Sequence, residues 1–348
     1  MYLAQASAKS RLLSARSLSP TASRRNPLPI SVCFNPVTAD STNFPTTADA
    51  FRKALNGSIK NQLVYDAFVA KVTPVGDALV YSTLLGGTNS DAGFRITVDN
   101  VGNALLTGSS QSVDFPNTLT NLVGLTVGFT NNSSRNTDTF MSKISPDGSL
   151  VYSTRFGSTK EDVGWDIALD NAGNTFIIGT TTSTNFPAHN ATNFPPPEKA
   201  RSNLQSVFVT AFSADASSVL YSLTLGGKQN DMGLGIATDF AGSVYLVGKT
   251  QSPDFPVVNP LQISLVGSND SFLVKILLNP TLSAIMQGDN LMIRWKAFAP
   301  EYLLESASSD GAMQAWEPVS VTPVLAAGWH QVTLQATNSG AIYRLRRP

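Results

Sequence analysis

One cysteine and two histidines in 348 residues remove several kinds of chemistry at once. Cys33 alone cannot form an intramolecular disulfide and reads as a buried or incidental thiol. A catalytic thiolate wants a nearby base. His189 and His330 are the sole histidines, so a histidine triad or a histidine-rich metal site is not expected. Charge is also scarce, at 14% against roughly 25% for an average soluble protein. Lys plus Arg equals Asp plus Glu at 24 each. The chain therefore lacks an overall field to draw in nucleic acid, which is not expected as a partner. No stretch approaches the roughly 18 apolar residues of a membrane-spanning helix, so no membrane span is expected. Nor is there the uninterrupted apolar core, about 7–15 residues long, that a recognisable signal peptide needs. Lys9, Arg11, Arg16, Arg24 and Arg25 all precede the first acid, Asp40. Residues 1–37 read as a disordered or atypical segment. They also fit an unusual targeting peptide, or a coding start that is not the natural one.

What is present is repetition. Asp91-Ala-Gly-Phe-Arg-Ile-Thr-Val-Asp-Asn-Val-Gly-Asn103 returns as Asp162-Val-Gly-Trp-Asp-Ile-Ala-Leu-Asp-Asn-Ala-Gly-Asn174. It returns again as Asp231-Met-Gly-Leu-Gly-Ile-Ala-Thr-Asp-Phe-Ala-Gly-Ser243. Asp66-Ala-Phe-Val-Ala-Lys-Val72 has counterparts starting at Asp138, Ser206 and Asp270. Leu79-Val-Tyr-Ser-Thr-Leu-Leu-Gly86 has counterparts starting at Leu150 and Leu220. Phe-Pro pairs begin at Phe44, Phe115, Phe186 and Phe255. A period of roughly 70 residues with several short strands per unit suggests blades or an array.

Each piece reads as a strand. Phe94, Ile96 and Val98 take alternate positions, matched by Trp165, Ile167 and Leu169 and by Leu234, Ile236 and Thr238, and period two argues for β structure. Gly102, Gly173 and Gly242 stand where a hairpin turn wants positive φ, after Asp99, Asp170 and Asp239. No part of the region carries a sustained helical period. One unit is thus a four-stranded antiparallel meander, with strands near 93–98, 103–108, 138–144 and 150–156. The next unit has 164–169, 174–179, 206–212 and 219–225. A third has 233–238, 243–248 and 270–276 without a clear outer strand. An N-terminal unit shows 65–72 and 79–85, with a decayed strand before Phe44. The long excursions 117–137 and 188–205 read as surface loops.

These motifs resemble the SBBP repeat of bacterial proteins. The resemblance spans about residues 38–280, with Ser206 and Ala211 departing from the usual Asp and Lys. It implies β-propeller blades, related in layout to NHL and WD-type blades, and an extracytoplasmic location. It does not imply one reaction. The expected fold class is all-β, with about three to four four-stranded blades and a small C-terminal antiparallel β-sandwich. Closed propellers usually have 4–8 blades. An incomplete set predicts an open arc or a strained four-blade ring, with self-association through open blade edges. The chain also fits a fragment of a longer ancestral propeller. Residues 281–348 hold Trp295, Trp316 and Trp329 and predict strands near 291–298, 302–306, 330–334 and 342–345. They resemble, more weakly, short C-terminal β modules of secreted bacterial proteins.

Five residues stand out as candidate ligand contacts. Asp91, Asp162 and Asp231 recur before the innermost strand of each unit. They can line a rim, bind a cation or contact a sugar, but recurrence in every unit favours bonding to backbone donors. Arg95 and Asp166 share a register with Gly235, where the copies disagree, on the face opposite the alternating apolar set. They read as a channel-facing ligand site, or as charges that are solvated or paired with each other. Lys71, Lys143 and Lys275 read as solvated or salt-bridged. No Asp-x-Asp-x-Asp-Gly run offers the oxygen ligands of a calcium loop, and no metal or cofactor is expected. Gly86-Gly87 and Gly226-Gly227 are not phosphate loops, because no Lys-Ser/Thr follows them. Paired glycosidase carboxylates cannot be picked from spacing. The functional expectation is a non-enzymatic scaffold, exposed outside the cytoplasm, that binds protein or carbohydrate through loops and channel rim. The alternatives are a lyase or hydrolase at the channel mouth, or a degenerate fragment without activity.

Overall fold

The computed structural model describes residues 31–32, 38–41, 43–55, 64–119, 136–190, 203–239, 243–277, 282–296, 302–308, 316–326, 329–336 and 341–346. Cys33, Gly242 and most of the segment 1–37 lie outside these residues, as do most of the two long loops.

The repeat region folds as four consecutive antiparallel sheets, here called blades one to four. Blade one holds β1 (Ser31–Val32), β2 (Thr38–Ala39), β3 (Asp66–Val72) and β4 (Leu79–Leu85). The fragments β1 and β2 both pair with β3, so they fill the second-strand place in two pieces. The decayed strand expected before Phe44 is these two fragments. Blade two is complete, with β5 (Asp91–Val98), β6 (Ala104–Ser110), β7 (Asp138–Ile144) and β8 (Leu150–Phe156) in that spatial order. Blade three repeats it with β9 (Asp162–Leu169), β10 (Thr175–Thr181), β11 (Ser206–Phe212) and β12 (Val219–Leu225). Blade four stops at three strands, β13 (Asp231–Thr238), β14 (Ser243–Thr250) and β15 (Asp270–Leu277). The arc is open: no substantial packing joins β13–β15 to β1–β4.

The turns form for the reasons their residues suggest. Gly102 and Gly173 take φ of 89° and 81°. Asp99 accepts hydrogen bonds from the Val101 and Asn103 amides, and Asp170 from those of Ala172 and Asn174. In blade four Asp239 likewise accepts from the Ser243 amide.

Three apolar layers lie between consecutive blades. Ala67, Val69 and Leu85 of blade one meet Leu106, Phe140 and Ile144 of blade two. Leu105, Met141 and Phe156 of blade two meet Ile167, Ile177, Phe208 and Phe212 of blade three. Phe176, Ile178, Val207 and Val209 of blade three meet Ile236, Leu246, Phe272 and Ile276 of blade four. Complete burial of one such side chain stabilises by about 1.5–3 kcal/mol. The Phe-Pro pairs join this packing. Phe44, Phe115, Phe186 and Phe255 lie against Phe68, Phe140, Phe208 and Phe272, with ring centroids 4.6, 4.8, 4.6 and 4.8 Å apart.

The innermost strands depart from simple alternation. Each carries a β-bulge, at Phe94, Trp165 and Leu234, where one extra residue opposes the neighbouring strand. A glycine on that neighbour makes room: a Cβ on Gly108, Gly179 or Gly248 would fall about 2 Å from the carbonyl oxygen of Ala92, Val163 or Met232. The expected apolar set therefore splits. Ile96, Ile167 and Ile236 pack into the layers between blades. Phe94 stacks instead on Trp165 across the blade boundary, at 4.9 Å.

Beyond blade four the chain forms two further antiparallel sheets. One contains β16 (Ser283–Gln287), β17 (Asn290–Lys296), β20 (Val324–Ala326) and β21 (Trp329–Gln335). The other contains β18 (Leu303–Ser308), β19 (Glu317–Pro318) and β22 (Ala341–Arg346). Ile293, Trp295 and Val332 from the first sheet and Leu304 from the second are buried together, as between facing sheets, in an apolar cluster continuous with the layer between blades three and four. Glu305 has little exposed surface, and the Arg346 guanidinium, with Arg344 beside it, holds its carboxyl below the usual carboxylate range.

Candidate functional site

The rim of the arc is built from the loops that lead into β5, β9 and β13. Asp91, Asp162 and Asp231 open these strands and are fully buried. Each carboxylate reaches back into the loop before it. Asp91 Oδ2 accepts from the Gly87 amide and the Ser112 hydroxyl, both at 2.7 Å. Asp162 Oδ2 accepts from the Ser158 amide at 2.5 Å and the Ser183 hydroxyl at 3.2 Å. Asp231 Oδ2 accepts from the Gly227 amide at 2.8 Å and the Ser252 hydroxyl at 2.9 Å. The three aspartates thus stand apart, one per blade.

Their serine partners were not singled out from the sequence. Ser112, Ser183 and Ser252 each donate to the aspartate and accept from a loop amide, that of Asn89, Lys160 or Gln229, at 2.9 Å. Their recurrence three residues before each Phe-Pro pair was the available signal. Burial pushes the carboxyl of Asp91 up, against the hydrogen bonds from Ser110, Ser112 and Gly87. Burial pushes Asp162 up to about 6, against those from Thr181, Ser158 and Ser183. Crowding explains the glycines beside them. A Cβ on Gly157 would lie 2.6 Å from Asp138 Oδ1 and 2.7 Å from Asp162 Oδ2.

Arg95 and Asp166 do come together. Arg95 Nε lies 3.1 Å from Asp166 Oδ1, joining β5 to β9. Asp166 Oδ2 accepts from the Ile236 amide of β13 at 3.0 Å. One carboxylate therefore ties the innermost strands of blades two, three and four. At the third register position, a Cβ on Gly235 would lie 3.6 Å from Asp166 Oδ2 and 2.8 Å from Val247 Cγ2. The carboxylate distance is an ordinary contact, so it is Val247 on β14 that a side chain at this position would crowd.

The lysines take different places. Lys143 pairs with Asp99 at 3.0 Å and Lys275 lies 4.0 Å from Asp239. Lys71 differs from expectation: it is buried and donates to the Pro146 carbonyl at 2.9 Å. Its stem crosses the boundary between blades one and two, and the ammonium finds a backbone acceptor there.

Beside Asp162 the rim opens into a cleft of about 670 Å³, lined by Asn136, Lys160, Glu161, Thr182, Asn203, Gln205 and Asn230. The loops of blades two, three and four all contribute. Lys160 Nζ donates to Asn203 Oδ1 at 2.5 Å, and Asn230 Oδ1 accepts from the Gln205 amide at 3.0 Å. The lining is rich in side-chain amides, with one cation and one anion. Such a surface matches hydroxyl groups or peptide groups better than a net charge. Among the described residues, no three His, Cys, Asp or Glu side chains gather as a metal site would require. No described helix is long and apolar enough to cross a membrane.

Residues 80–116 and 151–187 match the family model of the SBBP beta-propeller repeat. Each match runs from the outer strand of one blade through the first two strands of the next and ends at its Phe-Pro pair. The repeating sequence unit therefore straddles two blades. No match to the chain was found among curated proteins.

Proposed function

From a chain built of SBBP-type β-propeller repeats, we propose a non-enzymatic binding scaffold, exposed outside the cytoplasm, that recognises a protein or a carbohydrate through its loops and channel rim. The amide-lined cleft carries this reading. Asn136, Asn203, Gln205 and Asn230 set amide groups around it, some already bonded to neighbours (Asn136 Nδ2 to the Thr159 carbonyl, Asn203 Oδ1 to Lys160, Asn230 to Gln205 and Gln251), and such groups suit sugar hydroxyls or an extended peptide backbone. Arg95 and Asp166 support the reading indirectly. Each already serves the other and the strand packing, which suits a scaffold better than a reaction centre.

The test is a glycan array together with a pull-down from the native cell envelope, run on the full chain and on Glu161→Ala and Lys160→Ala. A ligand that binds the parent and loses about tenfold in affinity, near 1.4 kcal/mol, on either substitution supports the cleft. No ligand in either assay counts against the scaffold and leaves the inactive fragment.

A lyase or hydrolase at the channel mouth is the second reading. Asp162 favours it, since a carboxyl near 6 holds a transferable proton close to neutral pH. Its burial and its bonds to Ser158 and Ser183 oppose it, because a general acid must reach the bond it protonates.

A further inference from the structure

Each blade offers two faces to its neighbours, and the chain already builds the contact between them repeatedly. On blade three, the face turned toward blade four carries Phe176, Ile178, Val207 and Val209, all 0–1% exposed. Blade two presents Leu105 and Met141 in the same way, equally covered. The repeat assigns the equivalent positions in blade four to Tyr245, Val247, Ser271 and Leu273. Here Val247 is 45% exposed and Leu273 70%, with the bulge residue Leu234 beside them at 41%. The chain does not return to cover them: after β15 it enters β16, which pairs with β17 in another sheet.

The opposite face is partly exposed at the other end of the arc, among the described residues. Blade two receives blade one through Phe140 and Ile144, both fully buried. Their counterparts in blade one are Phe68 and Val72, with Ala70 between them, and all three remain partly exposed. Phe44 leans on Phe68 as Phe115 leans on Phe140, so this face keeps the ring stack that blade two uses to receive blade one.

We propose that these two faces meet between copies: the Leu234–Val247–Leu273 face of blade four docks on the Phe68–Ala70–Val72 face of blade one in a second copy of this chain. The two surfaces are the halves of an interface that the molecule forms internally, so one copy supplies what the other lacks. The contact is heterologous, joining different patches. Such contacts give rings when the rotation closes and filaments when it does not. Two arcs closing on each other would make a ring of about eight blades, within the range of closed propellers.

Sedimentation velocity on the full chain at rising concentration tests this. The expected result is growth in mass to at least twice the monomer. Leu273→Asp and Val247→Lys alter side chains that are exposed in the monomer, so both variants should fold. Each should weaken association at least about tenfold. Ala70→Asp should do the same from the other end. Mixing Leu273→Asp with Ala70→Asp leaves one intact pair of faces, and should yield a dimer that grows no further. A chain that stays monomeric at every concentration overturns the proposal and leaves the face to another partner. So does association that both Leu273→Asp and Val247→Lys leave unchanged.

Discussion

Blades three and four are written in nearly the same residues and end in different states. Both carry the Gly-x-x-Ile strand, the phenylalanine stack and the rim aspartate bonded to a serine. Blade three has four strands and a neighbour on each side, and its middle strands β10 and β11 are buried throughout. Blade four has three strands and one neighbouring blade, and alternate residues of β14 open toward solvent beyond its centre. The same pattern is buried or exposed according to what lies beside it. In repeat architectures much of each unit's stability comes from its interfaces with adjacent units. The two blades should therefore answer equivalent substitutions differently.

The largest difference is expected at Val209 and Leu273, which occupy one register position. Val209→Asp would place a carboxylate inside the layer between blades three and four, where no solvent reaches it. An unpaired buried charge is costly, and a loss above about 4 kcal/mol, or failure to fold, is expected. Leu273→Asp should leave the monomer within about 0.5 kcal/mol of the parent. Chemical denaturation at a concentration where the parent is monomeric measures both. Equal losses would mean that the blade-four face is covered within one chain.

The complete blade also holds a pH dependence. Asp162 titrates near 6 in the folded chain, against an ordinary 3.8. Between those values the folded chain keeps a proton that the unfolded chain gives up, so stability falls as pH rises. The contribution is whole below about pH 4 and gone above about pH 6. A shift of two units corresponds to about 3 kcal/mol. Asp162→Asn should lack this slope, gaining about 3 kcal/mol on the parent between pH 4 and 7. Urea denaturation at several pH values gives the difference directly. A constant difference across that window would show that burial does not shift the carboxyl.

Much of this architecture was legible because the chain repeats it. Strands read from period two lie within about two residues of those observed, and the open end of blade four followed from the missing outer strand after residue 276. The bulges were not legible. Phe94, Trp165 and Leu234 are apolar and fall on the alternating positions, so an inserted residue looks like a regular one. The recurring Gly108, Gly179 and Gly248 held that information, since each leaves space for a displaced carbonyl. At the candidate site, aligning the copies placed Arg95 and Asp166 in one register. The cleft could not be read this way, because its residues come from loops far apart in the chain. The bond from the Ile236 amide to Asp166 was equally hidden, since every residue but proline carries an amide and its partner depends on the fold.

That bond gives the finest distinction between the two blades. Asp166 belongs to the complete blade, yet one of its oxygens holds the innermost strand of the incomplete one. Arg95 lies on the outer side of the same carboxylate, more exposed than its partner. An exposed ion pair contributes less than about 1 kcal/mol, whereas a part-buried carboxylate bonded to an amide contributes about 1.5–3 kcal/mol. Arg95→Ala should therefore cost under about 1 kcal/mol and leave β13 protected. Asp166→Ala should cost roughly 1–2 kcal/mol and speed hydrogen exchange at the Ile236 amide, with little change at the Ile96 amide of blade two. Exchange measured residue by residue separates the two variants. If Arg95→Ala exposes the Ile236 amide as much as Asp166→Ala does, the ion pair positions the carboxylate. Blade four would then be held through blade two as well as through blade three.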